Sequence, residues 1–104
     1  MRIFTDQDDG ASVSLVPDDV FQIRLMENPT TGFRWRLSVW DSSILELMRD
    51  TFVPSDSSQH GSGGQHVWEF VARGPGHNSL QMTYRRAWGA ANPAKAFSLH
   101  VFVT

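Results

Sequence analysis

The sequence predicts an all-β fold, an antiparallel sandwich of about seven short strands. Apolar residues recur at every second position in several separate segments, the mark of half-buried strands, and turn-forming residues interrupt these segments at short intervals. A third observation limits what can hold such a fold together. The 104-residue chain has no cysteine, so disulfides and thiolate metal sites are excluded and packing must suffice. Four Trp, seven Phe and one Tyr supply the bulk, each ring able to bury about 150–250 Å².

The segments follow in order. A short strand is expected through Val13 and Leu15. Phe21, Ile23 and Leu25 then alternate with Gln22, Arg24 and Met26, and Phe33, Trp35 and Leu37 with Arg34, Arg36 and Ser38. Ile44, Leu45, Leu47 and Met48 fit either a helical or a strand period, and the stretch from Ile44 to Met48 is read as a strand. Trp68, Phe70 and Ala72 alternate with Val67, Glu69 and Val71; Leu80, Met82 and Tyr84 with Gln81, Thr83 and Arg85; Phe97, Leu99, Val101 and Val103 with Ser98, His100 and Phe102. Between them lie Pro17-Asp18-Asp19, Asn28-Pro29, Asp41-Ser42-Ser43, Gly61-Ser62-Gly63-Gly64, Gly74-Pro75-Gly76 and the stretch from Gly89 to Pro93, all turn chemistry. Short strands separated in this way suggest a sandwich and not a parallel α/β sheet. Trp35, Phe70, Tyr84, Leu99 and Val101 are expected in or near the core, with Phe33 leaning into it. Residues 1–104 read as one domain without repeat or linker, residues 1–9 as a frayed acidic terminus, and Ser55 to Gly64 as one long flexible loop.

Composition narrows the function. Hydrophobic residues make up 40% and charged residues 19%, with a formal net charge of −2. Nucleic acid or an anionic membrane would favour a basic surface, so neither is an expected partner. No apolar run approaches the roughly 18–20 residues that span a bilayer. The opening Met1-Arg2-Ile3-Phe4-Thr5-Asp6 has no long apolar segment, so the chain is expected to be cytosolic, or else a periplasmic or secreted product freed of a leader.

No catalytic or metal constellation emerges. His60, His66, His77 and His100 lack the H-x₃₋₅-H ligand spacing. His60 and His66 could converge across the glycine-rich loop, but read as solvated polar residues. Asp6, Asp8 and Asp9 resemble the start of a calcium loop whose later Gly and Glu are missing. There is no G-x-S-x-G elbow. Gly61-Ser62-Gly63-Gly64 lacks the Lys and the following helix of a phosphate loop. Asn28-Pro29-Thr30 is no glycosylation acceptor, because Pro occupies its middle position. No cofactor, no metal and no catalytic residue are expected.

The segment Asn28-Pro29-Thr30-Thr31-Gly32-Phe33 is more specific. Pro29 fixes φ and restrains Asn28 to extended geometry. The Asn28 side chain can bond its own backbone a little further on, and Gly32 permits positive φ. Two threonines are expected at the tip with hydroxyl and methyl groups outward. Such a loop is pre-organised, which lowers the entropy cost of binding. Alone, it would read as an ordinary tight turn.

Two further motifs accompany it. The chain resembles the chagasin family of cysteine-peptidase inhibitors, marked by N-P-T-T-G-[YF], a G-x-G-G turn and R-P-[WF]. The first is complete from Asn28 to Phe33, the second in Gly61-Ser62-Gly63-Gly64 followed by Gln65, and the third appears as Arg86-Ala87-Trp88 with Ala87 in place of Pro. They stand in the family's order, and the resemblance runs from about Gly10 to Val103. It implies an immunoglobulin-like sandwich of about seven to eight strands, whose three loops cluster at one end and wedge into the cleft of a papain-family cysteine peptidase. By the same resemblance, the loop from Asn28 to Phe33 would sit centrally, with Thr31 closest to the catalytic cysteine. Gly61, Ser62, Gly63, Gly64 and Gln65 would line one side, with Arg86, Ala87 and Trp88 on the other. Ala87 removes a fixed φ worth roughly 0.4–1 kcal/mol, so a more mobile third loop is expected. The implied protein is a monomeric, reversible, non-covalent inhibitor and no enzyme. Two other readings compete with it. One is a non-inhibitory immunoglobulin-like module binding carbohydrate or protein through Trp40 and Trp88; the other is a metal-dependent hydrolase using His60 and His66. A papain inhibition assay separates the three.

Overall fold

A computed structural model describes residues 1–55, 63–86 and 94–104. Among these residues the chain forms eight strands: β1 (Arg2–Thr5), β2 (Ala11–Leu15), β3 (Val20–Glu27), β4 (Phe33–Val39), β5 (Leu45–Pro54), β6 (Gly64–Ala72), β7 (Gly76–Arg86) and β8 (Lys95–Val103). They make two four-stranded sheets, in the orders β1-β3-β6-β5 and β2-β8-β7-β4. The architecture is the β-sandwich that the alternation predicts.

The core follows from the period of two. Phe21, Ile23 and Leu25 of β3 and Trp68, Phe70 and Ala72 of β6 point from the first sheet into one cluster. Val13, Leu15, Trp35, Leu80, Met82, Phe97, Leu99, Val101 and Val103 fill it from the second. Trp35, Phe70, Leu99 and Val101 are buried as expected, and Tyr84 packs against the cluster half-buried. At about 25 cal/mol per Å² of apolar area removed from water, such a layer is the main favourable term in a fold without cross-links. The outward face of β3 and β6 carries a polar ladder: Gln22 donates to Glu69 at 2.7 Å and accepts from Arg24 Nη2 at 2.7 Å. Satisfied in this way, Gln22 tolerates burial.

Both sheets are mixed. β1 runs parallel to β3, and β2 parallel to β8, while every other pairing is antiparallel. The amino-terminal segment is thus the exception to the expected antiparallel pattern. It also departs from the expected frayed terminus. β1 pairs from Arg2↔Phe21 to Thr5↔Arg24, and a 3₁₀ turn (Asp6–Asp8) carries the chain toward the second sheet. Each acidic side chain that suggested a calcium loop accepts a backbone N–H instead: Asp8 from Thr5 at 2.8 Å, Asp6 from Met26 at 3.2 Å and Asp9 from Ser98 at 2.8 Å.

β5 is a strand, as read, but it continues to Pro54. Its register shifts between Leu47 and Arg49. The bulge makes Met48 the extra, exposed residue and gives this stretch its mixed periodicity. Below it, Asp41 closes the turn before β5 by accepting from the Ser43 hydroxyl at 2.6 Å and the Ser43 N–H at 2.9 Å. These bonds hold the Asp41 carboxyl below its ordinary value.

The strand ends position the motif loops. The register pairs Glu27 with Gly64, Gly64 with Pro54, Phe33 with Arg86, and Tyr84 with Lys95. The ends of β3, β5 and β7 and the starts of β4, β6 and β8 therefore share one end of the sandwich.

Candidate functional site, the loop end of the sandwich

The loop between β3 and β4 is built from its own sequence. Asn28 is extended (φ −126°, ψ 93°) and caps a 3₁₀ turn (Pro29–Thr31) with Pro29 at its start. Its Oδ1 accepts from Thr30 N–H at 3.2 Å and from the Thr30 hydroxyl at 2.5 Å. The Thr31 hydroxyl donates to Asn28 C=O at 2.8 Å. Gly32 closes the turn in the left-handed region (φ 84°), its N–H donating to Pro29 C=O at 3.0 Å. The roles expected for Asn28, Pro29 and Gly32 are all seen. Thr30 and Thr31 are exposed at the tip as expected, but both hydroxyls bond back within the loop, because the Asn28 side chain and carbonyl offer acceptors two and three residues back.

An aromatic stack supports this loop. Phe33 lies on Tyr84 with ring centroids 5.5 Å apart, and Tyr84 on Trp35 at 5.0 Å. Phe33 thus leans inward as expected. Tyr84 Oη accepts from Asn28 N–H at 3.2 Å, and Trp35 Nε1–H donates to Met26 C=O at 2.8 Å. Both bonds cross from one sheet to the other directly beneath the loop. Arg86 places its guanidinium 4.8 Å from the Phe33 ring centre, a cation–π contact that brings the start of the third motif against the end of the first.

A buried carboxylate completes the base. Glu27 continues the inward series Phe21, Ile23, Leu25, and its side chain is wholly buried. One oxygen, Oε2, accepts from Trp35 N–H at 2.9 Å and meets His66 Nδ1 at 2.9 Å. His66 Nε2 faces Asp50 Oδ1, and the ring stacks on Trp68 at 4.0 Å. Both imidazole nitrogens thus face carboxylates, and the ring bridges Glu27 to Asp50. Glu27 ties β3 to β4 and β6 at the residue before Asn28.

The second motif reaches the same place. Gly63 has φ 69°, and a Cβ there would stand 2.7 Å from Glu27 C=O and 3.2 Å from Asn28 Cα. Only glycine allows this approach. Gly64 opens β6 buried between Glu27 and Pro54, and Gln65 pairs with Met26 and Val53. The structure thus brings Gly63 and Arg86 against the first loop. Gly61, Ser62, Ala87 and Trp88 lie outside the described residues, as do His60 and most of the predicted loop from Ser55 to Gly64.

Other candidates take structural places. Trp40 Nε1–H donates to Leu45 C=O at 2.8 Å and its ring meets Phe70 edge-on. It is a packing residue at the sandwich edge more than a free platform for sugars. His66, read as a solvated loop residue, instead bridges Glu27 and Asp50. Among the described residues no three His, Asp or Glu side chains are grouped to hold a metal ion. Glu27 itself had a visible signal, a carboxylate in an inward register position.

One prediction arises here. Tyr84→Phe keeps the stack but removes the acceptor for Asn28 N–H. Urea unfolding should show a loss of about 0.5–1.5 kcal/mol, the usual net worth of one such bond. An unchanged midpoint would show that the bond contributes nothing to the loop's support.

A family model described as chagasin family peptidase inhibitor I42 matches residues 14–101. Chagasin from Trypanosoma cruzi is 24% identical over 102 residues, covering 93% of both chains. The crystal structure of the cysteine protease inhibitor EhICP2 from Entamoeba histolytica superposes with a TM-score of 0.86 at 20% identity, covering 99% of this chain and 94% of that one. PbICP-C, solved in complex with falcipain-2, gives 0.76 at 14% identity over the full length of both. At these identities the two solved structures speak for the fold.

Proposed function

The chain belongs to the chagasin family of peptidase inhibitors, and from that premise we propose that it blocks papain-family cysteine peptidases reversibly and without a covalent bond, by seating its loop end in the active-site cleft. The observation that carries this reading is the hydrogen-bonded Asn28–Phe33 loop, with its left-handed Gly32, at the end of the sandwich where Gly63, Gly64 and Arg86 also lie. A papain-like peptidase cuts peptides that lie extended across its cleft. A preformed 3₁₀ turn fills such a cleft without offering an extended scissile bond, so it obstructs and is not cut. The inhibitor needs no nucleophile, metal or cofactor.

In this proposal the Asn28, Pro29, Thr30, Thr31, Gly32 and Phe33 loop sits centrally, with Gly32 permitting the closest backbone approach. Gly61, Ser62, Gly63, Gly64 and Gln65 line one wall, and Arg86, Ala87 and Trp88 the other. Because the threonine hydroxyls already bond within the loop, little loop freedom is lost on binding, which favours affinity. A contact of standard size, burying about 1,200–2,000 Å² in total, fits three short loops.

Titration of papain with the protein tests the reading. Stoichiometric inhibition that reverses on dilution is expected. Full papain activity at micromolar protein would contradict it, and would leave a non-inhibitory binding module as the better account.

A further inference from the structure

Beside the loop end, on the outer face of the second sheet, three arginines gather without an ion-pair partner among the described residues. Trp35 and Leu37 of β4 face inward, so Arg34 and Arg36 face out. Arg34 stands directly opposite Arg85 of β7, and Arg36 opposite Thr83. Like charges facing each other across a ladder are destabilising. Among the described residues no carboxylate pairs with them: the close carboxylate contacts are those of His66 and Arg73. Asp50 lines the same edge groove as Arg34 and Arg36 but is engaged by His66. Arg85 Nε is buried and has no hydrogen-bond partner among the described residues. In a chain of net charge −2, this basic patch is local, and it lies one residue beyond Phe33.

We propose that Arg34, Arg36 and Arg85 form an accessory docking surface for carboxylates on the rim of the peptidase cleft, selecting peptidases with an acidic rim. The inference rests on the inhibitor reading, since the loops set which surface faces the patch. Arginine suits the task, because its planar fork donates two parallel bonds to a carboxylate. Charge at the margin of an interface acts chiefly on encounter: it steers association, is weakened by salt, and alters dissociation less. The patch thus bears on the choice of target, while the loops supply the obstruction. Its cost to the free protein is the repulsion between Arg34 and Arg85.

Stopped-flow association would be measured for the wild type, for R34E/R36E and for R34K/R36K against two papain-family peptidases, one with carboxylates on its cleft rim and one without, at low and high salt. With the acidic-rim enzyme, R34E/R36E should associate about tenfold more slowly at low salt and lose most of its salt dependence. R34K/R36K should stay within about threefold of wild type, because charge is kept. Dissociation should change little, and the neutral-rim enzyme should be bound equally fast by all three. Independently, Arg34→Gln should raise the melting temperature of the free protein, since the facing pair is relieved. Inhibition by wild type, with association of R34E/R36E unchanged or slowed equally for both enzymes, would overturn the docking surface alone. Failure of wild type to inhibit either enzyme would overturn the inhibitor reading, and the proposal with it.

Discussion

Gly32→Val should abolish inhibition while the sandwich stays folded. Gly32 sits at φ 84°, ψ −5° and closes the turn by donating to Pro29 C=O. A β-branched residue is a genuine outlier at positive φ, so valine would drive the chain toward negative φ. That opens the turn, and the bonds from Thr31 to Asn28 within it are lost with its shape. Strain of this kind costs of order 1–3 kcal/mol, which the folded loop would shed by moving. The consequence at the interface is larger. In the proposed complex the Gly32 backbone makes the closest approach, and two added methyl groups would also collide with the cleft. A rise of at least about 100-fold in the inhibition constant is expected, equivalent to about 2.7 kcal/mol. Gly32→Ala should fall between, since alanine tolerates left-handed φ better and adds less bulk. Circular dichroism of Gly32→Val should still show a β-protein. Undiminished inhibition by this variant would remove the loop from the site.

Glu27→Ala should be the most destabilising single change near the loops. The carboxylate is buried, receives Trp35 N–H and pairs with His66. Its removal leaves a buried backbone donor without its acceptor and His66 with Asp50 alone. Leaving a buried hydrogen-bonding group without its partner costs about 1–3 kcal/mol. Trp35 N–H loses its acceptor outright, and His66, partly exposed, keeps only Asp50, so a loss of about 3 kcal/mol is expected. For a domain of this size, that lowers the melting temperature by more than about 10 °C. Glu27→Gln, which keeps an acceptor for Trp35 N–H, should lose less. His66→Phe keeps the stack on Trp68 and removes both ring nitrogens. If Glu27 acts through His66, the double variant Glu27→Ala/His66→Phe loses less than the sum of the two. Strict additivity would show that Glu27 acts only as the acceptor for Trp35.

Much of this architecture is legible in the sequence. The alternation from Phe21 to Leu25, from Phe33 to Leu37 and from Phe97 to Val103 encodes which side of a strand faces the core, and the core residues follow directly. It does not encode the direction of the neighbour. A strand has the same period of two in a parallel ladder as in an antiparallel one, so the parallel pairings of β1 with β3 and of β2 with β8 are invisible in it. β1 is also too short and too weakly patterned, as Arg2-Ile3-Phe4-Thr5, to announce itself; it is held by its ladder with β3 and by the Asp6 and Asp8 bonds that follow it. The bulge at Met48 blurs one strand for a similar reason, because an extra residue shifts the phase.

At the loop end, the shape of the Asn28–Phe33 segment is legible because it is local. Pro29 restricts two residues, and Gly32 provides the one conformation that its neighbours resist. The direction of the Thr30 and Thr31 hydroxyls is not, since it depends on which acceptors the finished turn presents. The support is distant in sequence: Tyr84 lies 56 positions from Asn28, and His66 lies 39 from Glu27. Such contacts become visible only when the sheets are stacked. Glu27 lies between these cases: its inward position is legible, and its partners are not.

The central claim is obstruction of the cleft without a bond to the catalytic sulfur. Its most direct test is the affinity of the protein for papain in two forms, one with a free active-site thiol and one whose thiol carries a methylthio cap. The account predicts binding to both, with the capped form weakened at most moderately and no mass adduct on either protein. Complete loss of binding to capped papain, together with a covalent adduct to the active enzyme by mass spectrometry, would contradict it.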